Sequence, residues 1–138
     1  MKKILIQTFI ISLFFVSLYA KADIKSITEG DVDAKVKLIV FESLTCSHCA
    51  DFHKNVYPSL KTDFIDTGLI LIEFRNFPLD MAAFNASKIA HCKNDGNSEI
   101  LHHLYKNQSS WVRGSTIEDL NKNLKDVVQE SGLSLIHI

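Results

Sequence analysis

Cys46-Ser47-His48-Cys49 is the stretch that most constrains what this chain can become. It follows an apolar run, Val36-Lys37-Leu38-Ile39-Val40-Phe41, and it opens an amphipathic one, Cys49-Ala50-Asp51-Phe52-His53-Lys54-Asn55-Val56. The two cysteines therefore fall where a strand turns into a helix. A helix N-terminus presents unpaired N–H groups and a partial positive charge, and both stabilise an anion. With Cys46 as the first helical residue, that anion is its thiolate. Cys49 lies one turn further on and can close a disulfide back onto Cys46. A C-x-x-C pair in this setting reads as a dithiol redox site.

Two other chemistries compete for the same cysteines. Zinc wants four ligands, usually offered as two pairs. A second pair would have to come from His53, His91 or Cys92, and none has a regular spacing. A purely structural disulfide is the other. Haem attachment requires histidine directly after the second cysteine, and Ala50 stands there.

The first residues have to be set aside before any fold is read. Met1-Lys2-Lys3 is a positive start, Ile4 to Tyr19 is mostly apolar, and Ala20-Lys21-Ala22 fits a small-x-small cleavage site. Residues 1–22 are thus expected to be a secretory signal peptide, an uncleaved membrane anchor being the competing reading. Cleavage after Ala22 would remove three lysines and no acid, taking the formal charge from −1 to −4. A mildly acidic surface offers no basic patch for nucleic acid. Export also places the cysteines in an oxidising compartment, where a C-x-x-C pair is suited to making or rearranging disulfides.

Along the rest of the chain, Asp23 to Lys35 reads as a lead-in loop with a short edge strand. Val36 to Glu42 reads as a strand buried on both faces, from its nearly continuous apolar run. Thr45 is the expected N-cap of a helix over about 46–66, with Phe52, Val56, Leu60 and Phe64 as its buried stripe and Pro58 kinking or splitting it. Leu69 to Phe74 reads as a second strand, parallel to the first. Beyond the loop at Pro78 the pattern becomes helical. Helices are expected over about 80–93, with Ala83, Ala86, Ile89 and Ala90 packing, and over about 98–107, with Ile100, Leu101, Leu104 and Tyr105 packing. A third opens at Ser115 with a Ser115-x-x-Glu118 capping box and ends at Gly132. Its apolar face is Ile117, Leu120, Leu124, Val127 and Val128.

Ser43-Leu44-Thr45-Cys46-Ser47-His48-Cys49-Ala50-Asp51-Phe52 resembles the active-site segment of the DsbA-like thiol:disulfide oxidoreductases. Asn107-Gln108-Ser109-Ser110-Trp111 resembles a segment of that family's helical insertion, and Gly132-Leu133 the end of one of its helices. The resemblance implies an α/β thioredoxin-like fold interrupted by a helical subdomain. Residues 23–79 would supply the strand–helix–strand part and residues 80–138 the insertion. No proline follows Pro78, so it also implies a chain that stops before the family's cis-proline and last strands. Ser47 stands where many members carry proline.

The function implied is a periplasmic oxidase that introduces disulfides into exported proteins with free cysteines. A DsbB-like, quinone-linked membrane oxidase would reoxidise it. A monomer is expected, with no cofactor. An isomerase or reductase of the same compartment, and a non-enzymatic zinc-binding or redox-sensing module, are the other function classes.

Cys46 is expected to be the exposed, attacked sulfur and Cys49 the more buried, resolving one. His48 would tune the thiolate by hydrogen bonding or charge. Glu42 is read as an exposed strand-end acid, with a buried proton carrier for Cys49 as the alternative. His53, His91, His102 and His103 read as surface or satisfied polar groups, and Phe77 and Trp111 as core. Cys92 reads either as a core thiol or, from the resemblance, as the first half of a structural disulfide whose partner would follow Gly132-Leu133.

Overall fold

The computed structural model of the chain describes residues 23–132. The signal peptide read over residues 1–22 and the closing segment 133–138 lie outside the described residues. Three strands form one sheet: β1 (Ile27–Glu29), β2 (Val36–Glu42) and β3 (Ile70–Asn76), in the order β1-β3-β2. β2 and β3 run parallel, with Leu38 beside Ile72 and Val40 beside Phe74, as a strand–helix–strand unit requires. β1 is the short edge strand expected in the lead-in, antiparallel to β3 with Ile27 opposite Phe74. Gly30 turns the chain out of β1 at φ +103°, where a Cβ would stand 2.5 Å from the Ile70 carbonyl oxygen; glycine alone fits such a turn.

Alternation along the strands decides which face is packed. Ile27, Ile72 and Phe74 are buried on one face, with Leu38 and Val40 partly buried beside them. On the opposite face Ile39 and Phe41 are exposed, Phe41 by 63%. The expectation of a strand buried on both faces therefore fails for β2. Among the described residues it is an edge strand, and no described helix covers its second face. Beside Ile39 and Phe41 that face carries a polar cluster. Glu73 accepts from Arg75 Nε at 2.8 Å and from Ser26 Oγ at 3.1 Å, and pairs with Lys37, while Arg75 lies over the Phe41 ring.

Pro58 breaks the first long helix, as anticipated, because it lacks the N–H a continuous helix needs. The result is α1 (Ser47–Asn55), α2 (Tyr57–Leu60) and a π-helical turn, Lys61–Ile65. The buried stripe is not the one expected. Val56 and Phe64 are exposed, whereas His53, Tyr57 and Ile65 are buried; Phe52 and Leu60 pack only partly. The face is rotated by one residue because the middle of α1 turns His53 toward a carboxylate on β2. The wide π turn then carries Ile65, not Phe64, onto the sheet.

The remaining helices are α3 (Met81–Ala90), α4 (Glu99–Lys106), α5 (Gln108–Trp111) and α6 (Ile117–Glu130). α4 packs against α1, α3 against α4 and α6, and α5 against α6. The packing residues read from the sequence are the buried ones: Ala83, Ala86, Ile89 and Ala90 on α3, Ile100, Leu101, Leu104 and Tyr105 on α4, and Leu124, Val127 and Val128 on α6. Trp111 is fully buried and donates its indole N–H to the Leu104 carbonyl at 3.0 Å. Phe77, also read as core, is 62% exposed in the loop after β3.

The cap of α6 falls one residue later than expected. Thr116 accepts from the Asp119 N–H, and the Asp119 carboxylate accepts from the Thr116 N–H. Gly114, at φ +117°, turns the chain so late that helical geometry starts at Ile117. Asp119 then does the work assigned to Glu118. α3 ends at Ala90, which leaves Cys92 in the turn beyond it.

The Glu73 cluster gives this fold an acid-sensitive point. The hydrogen bond from Arg75 first, and that from Lys37 next, hold Glu73 at about 2 instead of 4.5. A depressed folded-state pKa contributes stability that is complete above the unfolded value and is lost as pH falls through the folded one. Glu73→Gln is therefore expected to be less stable than the parent at neutral pH. That difference should close between pH 4.5 and about 2. Urea unfolding across a pH series checks it; a difference independent of pH would count against the cluster.

Candidate active site

The segment from Ser43 to Thr45 carries the chain from β2 into α1 and is fastened from three sides. Leu44 is fully buried and pins the turn to the core. Cys46 N–H donates to the Ser43 carbonyl at 3.0 Å, closing a tight turn. Thr45 Oγ1 donates to Asp80 Oδ2 at 2.7 Å, while Asp80 Oδ1 accepts from Ala83 N–H at 2.7 Å and caps α3. From the helical half, the buried Gln108 amide donates to the carbonyls of Leu44 and Cys46, at 2.9 Å each. Glu42 and Ser43 receive the loop after β3: Phe77 N–H reaches the Glu42 carbonyl at 2.7 Å, and Leu79 N–H the Ser43 hydroxyl at 3.3 Å.

Cys46 is the N-cap of α1 rather than its first helical residue, and Thr45 is not the cap. Thr45 is taken up by Asp80, which leaves the helix end to the cysteine. The Cys46 side chain makes no cap hydrogen bond of ordinary geometry. Even so, the Cys49 thiol, and after it the backbone N–H groups of Cys49 and His48, hold the Cys46 pKa below the ordinary thiol value of 9.0. Cys49 is shifted the other way, first by burial, then by the Cys46 sulfur and the charge of Glu42. Both thiols are free and partly buried, so this is the dithiol form. The two shifts are opposed, so Cys46 is the more readily ionised sulfur of the pair. Ser47 and His48 are exposed between them.

Glu42 lies beneath this pair and is not the exposed strand-end acid expected. Only 3% of it is exposed, because its parity on β2 matches that of Val40 and points it into the packed face. Its Oε2 meets His53 Nε2 at 2.7 Å. His53 Nδ1 meets His102 Nδ1 at 3.1 Å, and His102 Nε2 meets Glu29 Oε1 at 2.5 Å. Tyr57 donates its hydroxyl proton to Glu29 Oε2. Tyr105 stacks on the His53 ring, with centroids 3.9 Å apart and planes 14° from parallel. Burial works against ionised Glu29, but the hydrogen bonds from His102, Ser98 and Tyr57 bring it to about 2. His53 is therefore buried polar rather than surface, and His102 is its partner.

His103 donates from Nε2 to the Val127 carbonyl at 2.9 Å, a satisfied polar contact as expected. His91 is partly buried. Cys92 is partly buried against the core and its pKa is raised by that burial. Among the described residues no group of three or more histidine, cysteine, aspartate or glutamate side chains is placed to hold a metal ion. Sequence reasoning missed Gln108, His102 and Asp80. One signal for His53 was available: it lies four residues after Cys49, hence on the same helix face, above a strand position that could point inward.

A thioredoxin family model, described as "Thioredoxin", matches residues 22–134. A Rickettsia bellii protein named for protein-disulfide oxidoreductase activity aligns at 34% identity over 116 residues, 83% of this chain and 44% of its own length. A Bacillus cereus protein named for disulfide bond formation aligns at 30% identity over 106 residues, 73% of this chain and 48% of its own. The crystal structure of Wolbachia pipientis alpha-DsbA1 superposes with a TM-score of 0.72 at 33% identity, over 81% of this chain and 56% of that one. The chain thus spans less than half the length of these two curated relatives.

Gln108 is the residue on which the loop geometry can be tested. Gln108→Ala would leave two carbonyls, one of them buried, without their donor. A loss of about 1–3 kcal/mol follows from the cost of an unpaired buried group. Denaturant unfolding measures it; a loss below about 0.5 kcal/mol, the size of an ordinary surface change, would show that the loop does not need this tether.

Proposed function

We infer what this chain does from the premise that it belongs to the DsbA-like thiol:disulfide oxidoreductases of the thioredoxin family. We propose that Cys46 and Cys49 are its redox pair and that it introduces disulfides into exported proteins. The observation that carries this reading is the opposed acidity of the two thiols, Cys46 lowered and Cys49 raised. An unperturbed cysteine, at about 8.5, is only a few per cent thiolate at pH 7. A stabilised Cys46 thiolate is both a good leaving group and a sulfur that favours the reduced form, which makes the disulfide form a strong oxidant.

The exchange runs in two steps. A client thiolate attacks the Cys46 sulfur of the Cys46–Cys49 disulfide; the S–S bond breaks, and its electron pair leaves on Cys49, which takes up a proton. The client's second thiolate then attacks its own sulfur in the mixed disulfide and releases Cys46 as thiolate. The client has lost two electrons and gained a disulfide, and the protein holds the dithiol seen here. A DsbB-like, quinone-linked membrane oxidase is the proposed acceptor of those electrons. Glu42, buried beneath Cys49, is the proton carrier at that sulfur, the role its burial favours over an exposed one. His48 stands exposed beside Cys46, where its ring can add positive charge to what its backbone N–H contributes.

The setting follows from the sequence pattern. Residues 1–22 are proposed to be removed on export to the periplasm, leaving a monomer that begins at Asp23. Residues 23–79 build the redox half and residues 80–138 the helical part. Among the described residues no helix is long and apolar enough to cross a membrane. N-terminal sequencing of the protein recovered from the exported fraction should read from Asp23; recovery only in the cytoplasm with Met1 intact would refute the leader.

The roles of the two sulfurs separate by mutation. Cys46→Ser should abolish oxidation of a reduced client peptide, and Cys49→Ser should accumulate mixed disulfides on non-reducing gels. Preferential alkylation of Cys49 in the dithiol form would reverse the assignment. His48→Ala should move the Cys46 titration, followed by ultraviolet absorbance of the thiolate, to higher pH; an unmoved curve removes His48 from the site.

A further inference from the structure

The hydrogen bonds that start at Glu42 do not stop at His53. They cross the interior from Glu42 on β2 to Glu29 on β1, and the two far members are more exposed than the two near ones. Glu42 is 2% exposed, His53 4%, His102 26% and Glu29 13%, and Lys61, 3.4 Å from Glu29, is 41% exposed. Beside His53, Tyr57 and His102 opens a cleft of about 560 Å³, with Lys54 and Lys106 on its walls. We propose that Glu42, His53, His102 and Glu29 form a proton path between Cys49 and solvent. It rests on the redox-pair reading above and adds to Glu42 two histidines and a second carboxylate.

Counting protons supports a path rather than a static brace. Each imidazole uses both ring nitrogens, one toward each neighbour. Four groups in a row leave three gaps, and each gap is a hydrogen bond only if it holds one proton. Two carboxylates and two neutral rings supply two. A fully bonded row therefore carries one proton more than those neutral rings supply, held on one of the four groups.

The intake is also present. Glu42 Oε1 is buried and has no hydrogen-bond partner, and the charge of Glu42 is felt at Cys49. When Cys49 attacks a mixed disulfide, its S–H proton passes to Oε1. The His53 Nδ1 proton crosses to His102 Nδ1, the His102 Nε2 proton crosses to Glu29 Oε1, and Glu29 releases it to water, while His53 Nε2 keeps the proton it shares with Glu42. One proton enters and one leaves, and the gap between His102 and Glu29 is left without its proton. Reduction of the disulfide by a client needs a proton at Cys49: Oε1 returns it, Glu29 takes one from water and passes it to His102 Nε2, and His102 Nδ1 hands its proton back to His53. The two halves of the redox cycle thus reset the row.

The groups facing it are few. Tyr105 stacks on His53, Tyr57 and Ser98 bond to Glu29, and Lys61 pairs with it. His53 and His102 act through Cys49 and are positioning residues, so the test must read a proton step. In the full-length protein in a Cys92→Ser background, the reduced form is mixed with 5,5′-dithiobis(2-nitrobenzoate) in a stopped-flow instrument. The reagent concentration sets the first release of thionitrobenzoate, by Cys46; the second release, by Cys49, is first-order. His102→Ala and Glu29→Gln should slow the second release by about tenfold or more, at the low side of general acid–base effects. The first release should be unchanged, and added imidazole should restore His102→Ala through the cleft. Glu29→Gln keeps the size and the hydrogen bonding without the proton, and it carries the test if His102→Ala does not fold. An unchanged second release, or equal slowing of both releases with no effect of imidazole, overturns the path. Absence of the first release in the parent would instead overturn the redox-pair reading beneath it.

Discussion

The hydrogen bond between Glu42 and His53 joins the end of β2 to the middle of α1, 2.7 Å long and nearly shut off from solvent. Much else in the described structure follows from it. It turns the helix so that His53 and Tyr57, not Val56, face the sheet. The same rotation sets Cys49, one turn before His53, near the carboxylate, whose charge adds to the larger effect of burial in raising the Cys49 thiol. It also brings His53 against Tyr105 and His102 of α4, which is how the helical half meets the redox half. A polar bond at the centre of a core specifies an arrangement more strictly than apolar contacts do, because every alternative leaves a buried group unpaired.

The helical half also fixes the geometry of the cysteines from a distance in sequence. Gln108 lies 62 residues after Cys46 and still donates to its carbonyl. Asp80 lies 35 residues after Thr45 and holds its hydroxyl while capping α3. A loop that presents the Cys46 sulfur is restrained here, although loops are otherwise the most mobile part of a domain. The restraint comes from residues that follow the second parallel strand, so the geometry of this turn depends on the helices being in place.

What was legible in the sequence was local. The C-x-x-C position, the parallel pair, the break at Pro58, and the packing faces of α3, α4 and α6 all follow from periodicity and from residue types that act within a few positions. What was missed depends on pairing across the chain. Glu42 read as exposed because an isolated acid at a strand end is normally solvated; only its meeting with His53 makes burial tolerable. The stripe of Phe52, Val56, Leu60 and Phe64 obeys a four-residue period that the structure interrupts, at Pro58 and at the π turn. Phe77 is aromatic, yet it sits in a loop that the described elements leave open. The Leu38–Phe41 run spoke of two buried faces, while the described sheet covers one. The capping box slipped by one residue because Gly114, not Ser115, decides where α6 begins.

The polar row through the core is hard to explain as stabilisation. Two carboxylates and two imidazoles inside a domain are costly to desolvate, and apolar residues of the same volume are often as stable or more so. The unpartnered Glu42 Oε1 adds a further cost of about 1–3 kcal/mol. A fold that needed only to tie β2 to α1 could do so with apolar side chains, such as those α3 and α6 bury. Local rules broken without a structural gain concentrate where chemistry is done. On the proposed reading, the break begins under the thiol that gains and loses a proton in each cycle, and its far members are more exposed than Glu42. The proposed path gives the cost in stability and the course of the row one explanation: a core arranged around a proton at Cys49.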